Sequence, residues 1–138
     1  PISLNDKTKI DDFNMSNPKV GGAQSSFSQS ISEEGKIFYP VFSYKTLGLT
    51  GNDFVKKLKI DKPNYIKIDV DGIEHLVLNG LSEILDETKS ILIEVSNTFK
   101  IKKSHIKNFL EKNSFCMVSK ENSDFKDGVY NQIWEKKN

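Results

Sequence analysis

The sequence predicts an α/β domain with a mixed sheet, parallel strands at its centre and an antiparallel hairpin at its end. Three observations carry this. In Tyr65–Val70 the β-branched Ile66, Ile68 and Val70 alternate with Tyr65, Lys67 and Asp69, the period-two pattern of a strand. At Asp71-Gly72 the period changes, and Ile73, Leu76, Val77, Gly80, Leu81, Ile84 and Leu85 recur as on an amphipathic helix. Ile91–Val95 is then so apolar that it reads as a strand buried on both faces. The helix between these strands makes them parallel, as the crossover of a right-handed βαβ unit. Ligands of open α/β sheets bind at the carboxyl ends of such strands, where this sequence places its acidic residues.

The remaining elements follow in order. Pro1–Leu4 reads as the end of a strand, Asn5–Thr8 as a turn and Ile10–Met15 as a second strand. Ser16–Glu34 is polar, with Gly21-Gly22 and then Ser25, Ser26, Ser28, Ser30 and Ser32, and reads as a long loop of the functional or mobile kind. Ile37–Tyr44 is apolar and aromatic but contains Pro40, which suits a strand near an edge or one with a bulge. Thr50 or Asn52 caps a short helix bearing Phe54, Val55 and Leu58, and Lys62-Pro63-Asn64 turns the chain into the central strand. Beyond the polar link Asp86–Lys89 and the strand Ile91–Val95, Ser104 is placed to cap a helix with Ile106, Phe109 and Leu110 inward. Phe115–Val118 and Val129–Trp134 form the closing hairpin, with Asp127-Gly128 in its loop.

Length and composition set outer limits. At 138 residues, 36% hydrophobic and 28% charged, the chain is a single domain with a real core. No apolar run approaches the roughly 20 residues of a membrane span, and no signal peptide is visible. The chain starts at Pro1 without an initiator Met, as expected of a processed product or a fragment. One cysteine, Cys116, leaves no internal disulfide and fits a reducing, cytoplasmic compartment. The net charge of +1 gives no reason to expect a nucleic-acid or membrane partner. All 20 basic residues are lysine, so the bidentate fork of arginine is missing, as is any zinc-ligand spacing.

The residues Lys67-Ile68-Asp69-Val70-Asp71-Gly72-Ile73-Glu74, then Val77-Leu78-Asn79-Gly80, then Ile91–Val95 with Glu94, stand in a specific order. They resemble the FkbM-type family of S-adenosylmethionine-dependent methyltransferases. That family carries Lys-Ile-Asp-Val-Glu-Gly-x-Glu, then Val-Leu-x-Gly, then a strand ending in Glu. Ile2–Lys7 looks like the end of its third strand, and Gly22 with Ser25 and Ser26 like its Gly-and-Ser loop. Asp71 stands where the family usually has Glu, and Gly48-Leu49 where it usually has two Asp. The resemblance implies the C-terminal portion of a Rossmann-like methyltransferase fold, residues 1–138 being a single partial domain. The family's glycine-rich cofactor-binding region would lie before Pro1. What remains of the cofactor site would be Asn5, Asp6 and Asp69, with weak or absent binding of S-adenosylmethionine by this chain alone. The implied acceptor is a hydroxyl of a sugar, glycan or small metabolite. An uncovered sheet edge would favour a homo-oligomer.

Methyl transfer needs an acceptor oxygen aligned with the methyl carbon and relieved of its proton, work that suits a carboxylate. The catalytic candidates are Asp69 and Asp71 first, with Glu74 and Glu94 beside them. Each has a structural reading too. Asp71 and Glu74 have the spacing of a capping box, Asp69 pairs with Lys67 along the strand, and Glu94 serves strand-end hydrogen bonding. His75 and His105 read as surface residues, the lysines from Lys100 to Lys112 as a solvated face, and Cys116 as buried and inert. Two other functions compete: a non-catalytic interaction domain on a degenerate scaffold, and a haloacid dehalogenase-type phosphohydrolase. The latter lacks the later Asp pair that would complete a magnesium site.

Overall fold

The apolar alternations condense into two four-stranded sheets in the computed structural model of the chain, which describes residues 2–19, 25–32, 35–98, 100–123 and 127–137. The strands are β1 (Ile2–Leu4), β2 (Lys9–Met15), β3 (Ser25–Phe27), β4 (Phe42–Leu49), β5 (Tyr65–Ile68), β6 (Ser90–Ser96), β7 (Phe115–Asn122) and β8 (Val129–Lys136). The helices are α1 (Gly51–Leu58), α2 (Glu74–Asn79) and α3 (Lys100–Lys112).

One sheet has the order β1-β4-β2-β3, with β1 parallel to β4 and the other pairs antiparallel. The other has the order β5-β6-β8-β7: β5 and β6 run parallel, and β8 inserts antiparallel between β6 and β7. Register explains the core. Ile68 lies opposite Ile93, and Ile91 opposite both Ile66 and Trp134, so one face of this sheet is an apolar layer. Val77 and Leu78 of α2 and Ile106 and Leu110 of α3 pack onto it. Phe27 of β3 joins the same cluster, with Leu4 and Phe13 against it, so both sheets share one core.

Several expectations are corrected. Among the described residues β5 is an outer strand of its sheet, not a central one, and Tyr65 and Lys67 are exposed. The run Ile91–Val95 is not buried on both faces. Ile91, Ile93 and Val95 are buried while Leu92 and Glu94 are half-buried, because the packed helices contact only one side. The strand expected over 37–44 starts at Phe42 and continues to Leu49; Ile37 makes only an isolated bridge with Ile31. Pro40 has no N–H to give a ladder. Gly48 is required within that strand, since a Cβ there would sit 2.4 Å from the Phe27 ring.

The long polar loop contains β3, paired with β2 through Phe13 and Phe27; Gly21 and Gly22 lie outside the described residues. The expected long helix is regular only over α2. Its buried stripe continues through Leu81, Ile84 and Leu85 in a series of turns. Helix α3 starts at Lys100, so Ser104 sits inside it rather than capping it. Thr50 does cap α1, its hydroxyl accepting the Asp53 N–H at 3.0 Å.

Candidate active site

The motif turn is built around Gly72, whose φ of 91° suits glycine and strains any residue with a Cβ. Its N–H donates to the Val70 carbonyl at 2.8 Å and to Glu74 Oε1 at 3.0 Å. Its carbonyl accepts from the ammonium of Lys102 on α3. Both peptide groups of the glycine are thereby held, one by the start of α2 and one by α3. The capping box expected of Asp71 and Glu74 does not form. The N-cap of α2 is Ile73, without a side-chain cap bond, because the turn at Gly72 delays the helix until Glu74. Asp71 instead accepts the backbone N–H of Ser25 through Oδ2 at 3.1 Å.

Asp69 and Asp71 come together on a cleft of about 440 Å³ at the carboxyl end of β5. Its apolar walls include Leu4, Phe13 and Phe27 from the first sheet, Ile68 of β5, and Ile73 and Val77 at α2. The Lys67–Asp69 pair forms at 2.9 Å, with the Asp69 side chain 46% exposed. The pair expected along the strand therefore forms in solvent, since β5 has no neighbour on that side among the described residues.

Glu74 and Glu94 line a different, narrow recess with Lys102, Lys103 and Ile106. Glu74 is buried, which pushes its carboxyl up to about 7 against the pull of the Gly72 N–H and Lys102. Burial likewise holds the Lys102 ammonium below its usual range, with Glu74 opposing. Asn5 and Asp6 line neither space. Asn5 is buried between the β4–α1 junction and α2: its N–H donates to the Leu49 carbonyl at 2.9 Å, and its own carbonyl abuts Gly80.

Three readings change here. His75 is half-buried rather than solvent-facing, with its ring edge-on to His105 at 6.1 Å. Burial, then Lys102 and His105, depress it to about 4. Cys116 is half-buried on the edge strand β7, not fully enclosed. Lys102 departs from the solvated lysine face by turning inward to Gly72. Its signal was available: it lies four residues before the buried Ile106, on the inner stripe of α3. Phe13 and Phe27 are cleft residues with no local signal, since only strand pairing brings them to the turn, whereas Ser25 was already marked by its place in the Gly-and-Ser loop.

Comparison with known proteins gives this geometry a family. A segment of 68 residues is 29% identical to the hexuronic acid methyltransferase AglP of Haloferax volcanii, covering 49% of this chain and 26% of that protein. The chain thus matches about a quarter of the length of that relative. No solved structure matches. The methyltransferase FkbM domain matches residues 4–117, most of the chain and all of the motif turn, and the chain belongs to that family.

Proposed function

We propose that this chain carries the acceptor end of a methyltransferase that moves a methyl group from S-adenosylmethionine to a hydroxyl of a sugar or other small metabolite. The observation that carries the reading is the meeting of Asp69 and Asp71 on one apolar-walled cleft at the carboxyl end of a parallel strand. The order β5-β6-β8-β7, with its last strand antiparallel between neighbours, supports a Rossmann-like sheet in its C-terminal portion. The hexuronic acid named for the Haloferax relative favours a sugar acceptor.

The residues present fit the cofactor in kind. Carboxylates at the mouth complement a sulfonium and an amine, and Phe13, Phe27 and Ile73 offer apolar walls to a planar base. Bound there, the cofactor supplies an electrophilic methyl carbon. Asp71, tethered by Ser25, would accept the proton of the acceptor hydroxyl as its oxygen takes the methyl group and the carbon–sulfur bond breaks to leave a neutral thioether; Asp69, steadied by Lys67, would orient that hydroxyl. The test is mass-spectrometric detection of methylated uronic and neutral hexose glycosides, using the intact parent protein with S-adenosylmethionine. Transfer that is lost in Asp71→Asn supports the reading. A folded wild-type parent that methylates none of these would move it to a non-catalytic domain.

A further inference from the structure

We infer that the groove between α3 and the β7–β8 hairpin binds an anionic glycan, an inference that rests on the sugar acceptor proposed above and extends it to the chain bearing that sugar. The groove encloses about 870 Å³, within the range of ligand sites. Helix α3 turns Lys100, Lys103 and Lys107 into it, at i, i+3 and i+7 on one stripe. Lys120 and Lys137 face them from the hairpin side, and Lys120 is seated over the Tyr130 ring at 3.6 Å. These five ammonium groups meet one carboxylate, Glu111, in a chain whose total charge is only +1. Such a local excess attracts anions.

The donor balance selects the class of anion. A lysine ammonium donates hydrogen bonds and accepts none. The amide oxygens in the groove are already engaged: Asn97 Oδ1 by Lys103 at 2.7 Å, and Gln132 Oε1 by the Trp134 indole at 3.0 Å. A peptide would bring backbone N–H groups that need acceptors. A glycan with carboxylates, hydroxyls and ring oxygens brings acceptors, and its ring faces suit the exposed Met117 side chain that lines the groove. Lys103 also lines the Glu74–Glu94 recess, so the groove and that recess meet at this side chain, beside Ser96 and Asn97 at the carboxyl end of β6.

The experiment titrates the 138-residue chain with oligogalacturonate, its methyl-esterified neutral form and polyglutamate, followed by calorimetry and amide shifts. Oligogalacturonate should bind, shift α3 and β7 amides, and weaken about tenfold in the K103Q/K107Q/K120Q variant. The neutral form should not bind. The variant K56Q/K57Q/K112Q removes as many exposed lysines outside the groove; an equal loss there would overturn the groove as the site. Polyglutamate binding as tightly would assign the groove to an acidic peptide and overturn the glycan. No binding of oligogalacturonate would overturn the inference outright. Groove binding in a parent that transfers no methyl group would leave the groove and remove the reaction; transfer without groove binding would do the reverse.

Discussion

The backbone N–H of Ser25 donates to Asp71 Oδ2 at 3.1 Å, tying the three-residue strand β3 to a turn 46 positions later in the chain. Asp71→Asn keeps an acceptor for this bond and should leave the urea midpoint nearly unchanged. Asp71→Ala loses it and should cost about 1 kcal/mol. Under the proposed methyl transfer, Asp71→Asn should lower turnover roughly 100-fold, the loss of a general base. Full turnover in the Asn variant would remove Asp71 from the chemistry and leave it as a tether.

Asp69 separates stability from activity differently. Its ion pair with Lys67 is largely solvated, at 46% and 65% side-chain exposure, so its net contribution is small. Asp69→Asn should therefore shift the unfolding midpoint little while reducing methyl transfer. A large stability loss would show that the carboxylate has a structural role beyond this pair.

Glu74 should make stability fall as pH rises. Its folded carboxyl titrates near 7 and its ordinary value is 4.5, so between these the native state holds a proton that the unfolded chain has lost. Stability from this group is complete below 4.5 and decreases by about 3 kcal/mol as pH climbs through 7. Denaturant midpoints of wild type and Glu74→Gln, compared at pH 5 and 8, should converge at the low pH and favour the Gln variant at the high one. Parallel pH profiles would contradict the assignment.

Lys102→Met tests the hold on Gly72 from α3. Its removal leaves the Gly72 carbonyl without that donor, at a cost of about 1–2 kcal/mol, and takes a positive charge away from Glu74. The Glu74 carboxyl should then titrate higher still, as read by carbon-13 NMR of the side chain. An unchanged titration would mean that the two groups are not coupled.

Gly80→Ala probes how β1 and α2 meet. A Cβ there would lie 2.2 Å from the Asn5 backbone oxygen, and backbone cannot rotate away as a side chain can. The substitution should destabilise by about 3 kcal/mol, seen as a lowered melting temperature. A neutral result would place more freedom between β1 and α2 than their packing implies.

Much of this molecule was legible along the chain because the signals are local. The change of period at Asp71-Gly72 set the strand and helix either side of the turn, Thr50 announced α1, and the two last apolar runs gave the antiparallel hairpin. The motif from Lys67 to Glu74 led to the methyltransferase FkbM domain. Period reports which face of an element is buried, not what lies against it.

Partnership across the fold was decided by tertiary structure. The spacing of Asp71 and Glu74 permits a capping box, yet the left-handed turn at Gly72 sends one carboxylate to Ser25 and the other into a buried recess. Lys102 lies 30 residues from Gly72, and only the seating of Ile106 and Leu110 on the sheet brings them together. Of the four candidate carboxylates, packing put Asp69 and Asp71 on one cleft and Glu74 and Glu94 in another space. The physical reason is that burial and approach set a carboxyl group's charge and reach, and both are properties of the assembled core.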